Sequence, residues 1–455
     1  MKGVTVGRRA RGRAADAVDG QHAGHRADGH GPRLTGIDAL RGVGALMVLG
    51  YHGFSSHLVG TLWTAPTRAA FWAGYPFLQG FAGVHLFLVV SGFCIHSTTA
   101  NRSPDRYPAF GAFCARRFRR LYGPYIAAVG ATVVALVVAA VLQPGPLSGG
   151  AVVRRLAPQG LAWFSLAGLV HVFMLFPVWT RSLVIFGNPA LWTLSLEAQL
   201  YLMYFPMLWL RRRLGMGGTL AVVLAVTLAF RYLALYGVLG FGRPVMSGAP
   251  LAYVPRPGPS EAHPAWLVGV AWITTGPARW FEWVLGAAAA EVAAGRGLRL
   301  PFHTSRWLAA IALVGALACQ WSRAGWLFTD LLWGVAFFVL VNRTAASEAS
   351  GRLRRHRLVA ALGWVGTFSY SLYLVHQPLL RVLQALLARV ASWPGASAID
   401  MIRVAAPPLA GLLLALFVMV ALPIGVALVM LPAWLFHRVF ELPAIRWSQR
   451  RRAVA

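Results

Sequence analysis

The chain has 455 residues, 58% of them hydrophobic and only 12% charged, with a formal net charge of +29. So little charge cannot cover a soluble protein of this length, and apolar runs recurring over residues 35–432 read as an all-α, polytopic membrane bundle. The runs are continuous rather than alternating, which excludes an outer-membrane barrel. The arginines lie between apolar segments, so they read as topology signals and exclude nucleic acid as a partner.

Residues 1–34 carry Gly, Ala, Arg, Asp and His and almost no large apolar side chain. They cannot bury a core and read as a disordered basic cytoplasmic tail; without an apolar stretch before a cleavage site they are not a signal peptide. Spans then follow at 36–55, 78–98, 122–142, 191–210, 217–236, 278–294, 306–321, 325–341, 360–380 and 405–432. Each has to close its own backbone hydrogen bonds as a helix. Segment 161–179 is long enough to cross but contains His171 and Pro177. Treated as re-entrant or interfacial, it leaves the arginine-rich loops 99–120, 211–216, 295–306 and 342–357 on one side with both termini, as the orienting bias requires. The expectation is about ten transmembrane helices plus one re-entrant or interfacial helix over 35–435. A basic cytoplasmic tail follows at 436–455. The Gly/Pro-rich outer loop 237–277 is a candidate lid or acceptor surface, and no appended soluble catalytic domain is expected. Cys94, Cys114 and Cys319 lack metal-ligand spacing and read as inert fillers; no His/Cys cluster suggests a metal.

Ionisable residues inside spans are expensive and therefore candidates for function. On the first span, Arg41 and His52 are eleven residues apart, about 16 Å along a helix and within roughly 20° of one face. Asp38 can pair with Arg41 at i,i+3. Four arginines (116, 117, 119, 120) precede the third span, and an arginine fork suits phosphates. Glu197 sits about two turns into "NPALWTLSLEAQLYL", among Trp192, Ser195, Gln199 and Tyr201. Arg279 and Glu282 form an i,i+3 pair, and Ser369, Tyr370, Ser371, Tyr373 and His376 place hydroxyls and an imidazole on one helix before Pro378.

Taken together these stretches resemble the acyltransferase-3 family of integral membrane O-acyltransferases, in a stand-alone form. The family pattern Asp-x-x-Arg-x10-His is similar to "DALRGVGALMVLGYH", with Asp38, Arg41 and His52. "FFxxSGF" resembles "FLVVSGF", with Ser91, Gly92 and Phe93, and "RRxxRIYP" resembles "RRFRRLYGP", with Arg116, Arg117 and Arg120. "LWSLxxExQFYL" resembles "LWTLSLEAQLYL", "RxxEFxxG" aligns Arg279, Glu282 and Gly286, and "SYxxYLxHxP" aligns Ser369, Tyr370, Tyr373, His376 and Pro378. Six motifs in family order span residues 38–378. Two departures stand out: Gly123 where proline is usual, followed by Pro124, and His85 where the family commonly has an acidic or polar residue.

The resemblance implies transfer of an acyl group, most often acetyl, from an acyl-CoA donor to a hydroxyl of a cell-envelope glycan or a glycosylated small molecule. It implies a bacterial inner-membrane enzyme in contact with the lipid bilayer. Arg116, Arg117 and Arg120 would hold donor phosphates, with Arg41 deeper in. His52 would act as general base or relay the acyl group covalently. Glu197 would orient that imidazole or handle the proton, and His376 and Tyr370 would move protons or stabilise the oxyanion. Ser91, Trp192 and Tyr373 are expected at the substrate. Two rivals use the same intramembrane charges: a transporter or flippase of a glycan or lipid-linked intermediate, and a glycan-binding pseudoenzyme. Turnover of the thioester separates the enzyme from both.

Overall fold

The computed structural model describes residues 34–53, 75–103, 106–145, 149, 151, 188–235, 275–296, 302–321, 324–391 and 407–450. The readings for 1–33, 161–179 and 237–274 lie outside these residues. Among those described there is no strand, and the helices in chain order are α1 (Thr35–His52), α2 (Ala82–Ala100), α3 (Phe110–Leu142), α4 (Trp192–Leu235), α5 (Gly276–Ala293), α6 (Arg306–Cys319), α7 (Thr329–Ala349), α8 (Arg357–Thr367), α9 (Ser369–Ala391), α10 (Pro407–Phe436) and α11 (Leu442–Arg450). The protein is an all-α membrane protein.

Four described helical stretches are long and apolar enough to cross a membrane: Tyr75–Ala100, Phe110–Leu142, Trp192–Leu235 and Pro423–Ser448. α8 and α9 pass together only across a 70° bend. These are fewer than the ten crossings expected, and the reasons are physical. α1 and α5 fall short because they carry the ionisable residues: Asp38, Arg41 and His52 on one, Arg279, Glu282 and Glu291 on the other. Both are nonetheless deep in the bundle. α6 has 14 residues, about 21 Å, shorter than the ~30 Å hydrocarbon layer. α4 covers two expected spans and breaks at Gly215, whose φ of +68° only glycine adopts freely.

Two boundaries differ from expectation. The span expected at 360–380 is broken at Phe368: α8 packs along the first turns of α1, and α9 alone makes the longer run. α3 begins at Phe110, so the arginines expected in a loop lie on its first three turns. At 33 residues, about 50 Å, this helix is long enough to carry them beyond the hydrocarbon. Past α10 the chain stays helical through a π-turn (His437–Glu441) into α11, which packs on α3.

Small residues bring the backbones together. A Cβ on Gly92 of α2 would lie 1.9 Å from the Trp283 carbonyl oxygen of α5, and one on Gly286 would lie 1.9 Å from the Val89 carbonyl oxygen. The α1–α8 contact is built the same way: Gly42 lies against the Leu362 carbonyl and Gly366 against that of Asp38. Hydrocarbon gives helices no hydrophobic reason to associate, so close approach through small residues and the dispersion it allows hold them. On α10, Leu416, Val420, Ile424 and Leu428 recur at four-residue spacing and are exposed, an apolar stripe suited to lipid.

Candidate active site

The first half of α1, the length of α2 from Val84 to Ile95, the first part of α3, the start of α4 and the start of α9 enclose a cavity of about 150 Å³. Arg41, Ser91, Arg117, Arg120, Glu197, Tyr370 and Tyr373 all line it. Residues far apart in sequence thus meet around one space. Its walls draw on two apolar clusters, with Leu88 and Leu121 from one and Leu194 from the other.

Helical geometry explains which arginines face inward. Arg117 and Arg120 are one turn apart on α3 and both line the cavity, while Arg119 points to the other side, its guanidinium 5.6 Å from the Trp447 ring. Arg116 does not line the cavity. It lies one turn before Arg120 on the same helix, so the cavity lining itself holds two of the three arginines expected to form the fork. The Arg117 guanidinium lies 5.3 Å from the Phe113 ring and 5.4 Å from the Tyr201 ring, which fix its direction. The Tyr201 hydroxyl in turn donates to Glu197 one turn earlier. Arg41 lies 3.7 Å from Asp38, the i,i+3 pair expected from the sequence.

The Ser91 hydroxyl accepts from Trp283 Nε1 at 3.3 Å, and the Tyr370 hydroxyl donates to the Leu121 carbonyl at 3.2 Å. His52 and His376 do not line the cavity. They lie together farther along α1 and α9, ring centroids 5.1 Å apart. Tyr373 joins the two regions, since it lines the cavity and its ring is 5.5 Å from that of His376. His376 Nδ1 is 2.6 Å from the Tyr373 carbonyl oxygen, which orients the imidazole. Trp192 opens α4 and packs with Val48, Val84 and Tyr373 beside the cavity rather than in it.

A family model described as an acyltransferase domain, that of the acyltransferase-3 family, matches residues 34–428. The chain belongs to the acyltransferase-3 family. It is therefore a membrane acyltransferase of the O-acyl type, from a family that acts on sugars and glycans. No curated protein and no solved structure matches it.

In this acyltransferase two further motifs prove to be structural supports. Gln199 accepts from the Gly276 backbone N–H at 2.8 Å and so caps α5. Arg279 and Glu282 are not a self-contained pair but part of a buried network. Arg279 Nη1 lies 3.2 Å from Glu282 and 2.9 Å from Asp330, while Arg231 Nη1 lies 2.5 Å from Asp330. His85, the departure from the family pattern, sits between them with Nδ1 2.7 Å from Glu282 and Nε2 3.5 Å from Asp330. Arg231 and Asp330 were not legible as partners, because 99 residues separate them and each alone reads as a span-end charge.

A second missed cluster joins α2, α4 and α5. His96 lies 3.1 Å from the Tyr204 hydroxyl and 3.0 Å from Glu291, and Arg211 bonds both Glu291 and the Tyr107 hydroxyl. Asn188, ahead of α4, donates to the Leu374 carbonyl at 2.7 Å and ties that helix start to α9. Among the described residues no group of three or more His, Cys, Asp and Glu could hold a metal ion.

Proposed function

We propose that this acyltransferase moves an acyl group, acetyl in the first instance, from an acyl-CoA to a hydroxyl of a cell-envelope glycan or glycosylated small molecule. It would work in the bacterial inner membrane with both termini in the cytoplasm. The observation that supports this most is the cavity itself, where Arg41, Arg117 and Arg120 share one small space with Glu197 and Tyr370. Clustered guanidinium groups, that of Arg117 held by two aromatic rings, suit the phosphates of a CoA donor, and the ~16 Å run of α1 from Arg41 to His52 suits the length over which phosphates and acyl carbon are separated.

In the proposed reaction His52 accepts the proton of the acceptor hydroxyl as its oxygen attacks the thioester carbonyl. The C–O bond forms, the C–S bond breaks, and the proton passes from His52 to the departing CoA sulfur. His376 braces His52, and Glu197 balances the charge of the cavity's arginines. Tyr370 is a candidate donor to the oxyanion, and serving it requires release of the Leu121 carbonyl.

The test is thiol release from acetyl-CoA by the purified chain in nanodiscs. Arg117→Ala with Arg120→Ala is expected to raise KM for the donor by at least tenfold, about 1.4 kcal/mol. An unchanged KM would reject the phosphate role, and absence of thiol release in the presence of envelope glycan would reject the donor assignment.

A further inference from the structure

The family match ends at residue 428, yet the described helix runs on to Arg450. The extension is anchored in two places beside the cavity. Glu441, 1% exposed in the π-turn, accepts a hydrogen bond from the Ser371 hydroxyl at 2.6 Å, and His437 Nδ1 lies 2.8 Å from the same carboxylate oxygen. Ser371 is the neighbour of Tyr370, which lines the cavity. Six residues beyond Glu441, Trp447 receives the guanidinium of Arg119 on the turn of α3 that carries Arg117 and Arg120. The extension thus holds two helices that contribute to the cavity, α9 through a carboxylate and α3 through an indole.

We propose that Glu441 is a positioning residue for acyl transfer: its bond to Ser371 sets the rotation of the first turn of α9 and hence where Tyr370 stands in the cavity, a role that rests on the reaction proposed above. A carboxylate in an apolar bundle is costly unless its bonds are made, and this one has a buried hydroxyl and an imidazole. The first turn of α9 needs such a tether, because the 70° bend at Phe368 leaves it without a continuous helix before it. The geometry also accounts for "SYS": Ser369 bonds back to the Gly366 carbonyl across the bend, Tyr370 faces the cavity, and Ser371 faces Glu441.

The test uses the full chain in nanodiscs with two readouts. The first is kcat and KM for acetyl-CoA in Glu441→Ala, Glu441→Gln and Ser371→Ala. Glu441→Ala and Ser371→Ala should each lower kcat about tenfold with KM changed less than twofold, the double variant should be no worse than either, and Glu441→Gln, which retains an acceptor oxygen, should recover most of the loss. A general loss of folding would not give that non-additivity or that rescue. The second readout needs no donor chemistry: the rate of maleimide alkylation of Cys94, a cavity-lining exposed thiol, read by peptide mass spectrometry. It should change at least threefold in both deletions. If Glu441→Ala fails to accumulate, Ser371→Ala alone decides. Wild-type kcat together with a wild-type Cys94 rate overturns the proposal. A shifted Cys94 rate in a protein that releases no thiol from acetyl-CoA would uphold the tether and reject the donor assignment instead.

Discussion

Replacing Gly92 by alanine tests how α2 and α5 are held, and with them the cavity wall that carries Ser91 and Cys94. The added Cβ would meet the Trp283 carbonyl oxygen at 1.9 Å, whereas ordinary contact begins at 3.4 Å. A backbone oxygen has no rotamer to turn aside, so the helices have to separate by about 1.5 Å. Overpacking of this kind costs about 1–3 kcal/mol. It also moves one wall of the cavity by more than the ~1 Å that can cost on the order of a hundredfold in rate. The Gly286→Ala substitution makes the mirror-image clash with Val89. Once either alanine has pushed the helices apart, the other fits the space already opened, so the double variant should cost clearly less than the two singles combined. Thermal midpoints in detergent and thiol release from acetyl-CoA measure both quantities. A Gly92→Ala protein with wild-type midpoint and rate, or a double variant whose losses simply add, would refute the reasoning.

His52→Ala should abolish acyl transfer while the protein accumulates in the membrane at wild-type level, which immunoblotting beside mass spectrometry of the acceptor glycans would show; retained modification would remove His52 from the reaction. Glu197→Gln keeps the bond from Tyr201 but removes the charge, and kcat should fall at least tenfold with little loss of stability, as steady-state kinetics would reveal. Asp330→Ala leaves the Arg231 and Arg279 guanidiniums buried without their shared carboxylate, and removing one partner of such a network costs about 3–5 kcal/mol. Its thermal midpoint should drop sharply, and Arg231→Met added to Asp330→Ala should recover part of the loss.

What was legible in the sequence follows from what the membrane makes expensive. Arg41, Arg117, Arg120, Glu197 and Tyr370 could be picked out one by one because an ionisable or hydroxylated side chain within an apolar run stands out against its neighbours, and the structure gathers them at one cavity. The all-α architecture was legible for the same reason. Arg116 reads in sequence like Arg117 and Arg120, because a run of arginines does not show which of them reach one space until the neighbouring helices are placed. The bend at Phe368 was hidden because a helix that turns by 70° keeps its hydropathy. Asp330 and Glu441 escaped because each lies near the end of an apolar run, where a carboxylate looks solvated, and their partners are 99 and 70 residues away. Glycines 92 and 286 were visible as motif letters, but the reciprocal contact that requires them is a property of two helices together.

The α2–α5 seam has a consequence for how substrates reach the cavity. Where one main chain rests directly on another, no side chains stand between them to swing aside, so that wall is rigid on the timescale of rotamer motion. The opposite flank is built of side chains instead: Arg117 against two rings, and Tyr201 and Tyr370 on single hydrogen bonds. Any widening of the cavity would then have to come from that side-chain flank, against a backstop of two touching main chains.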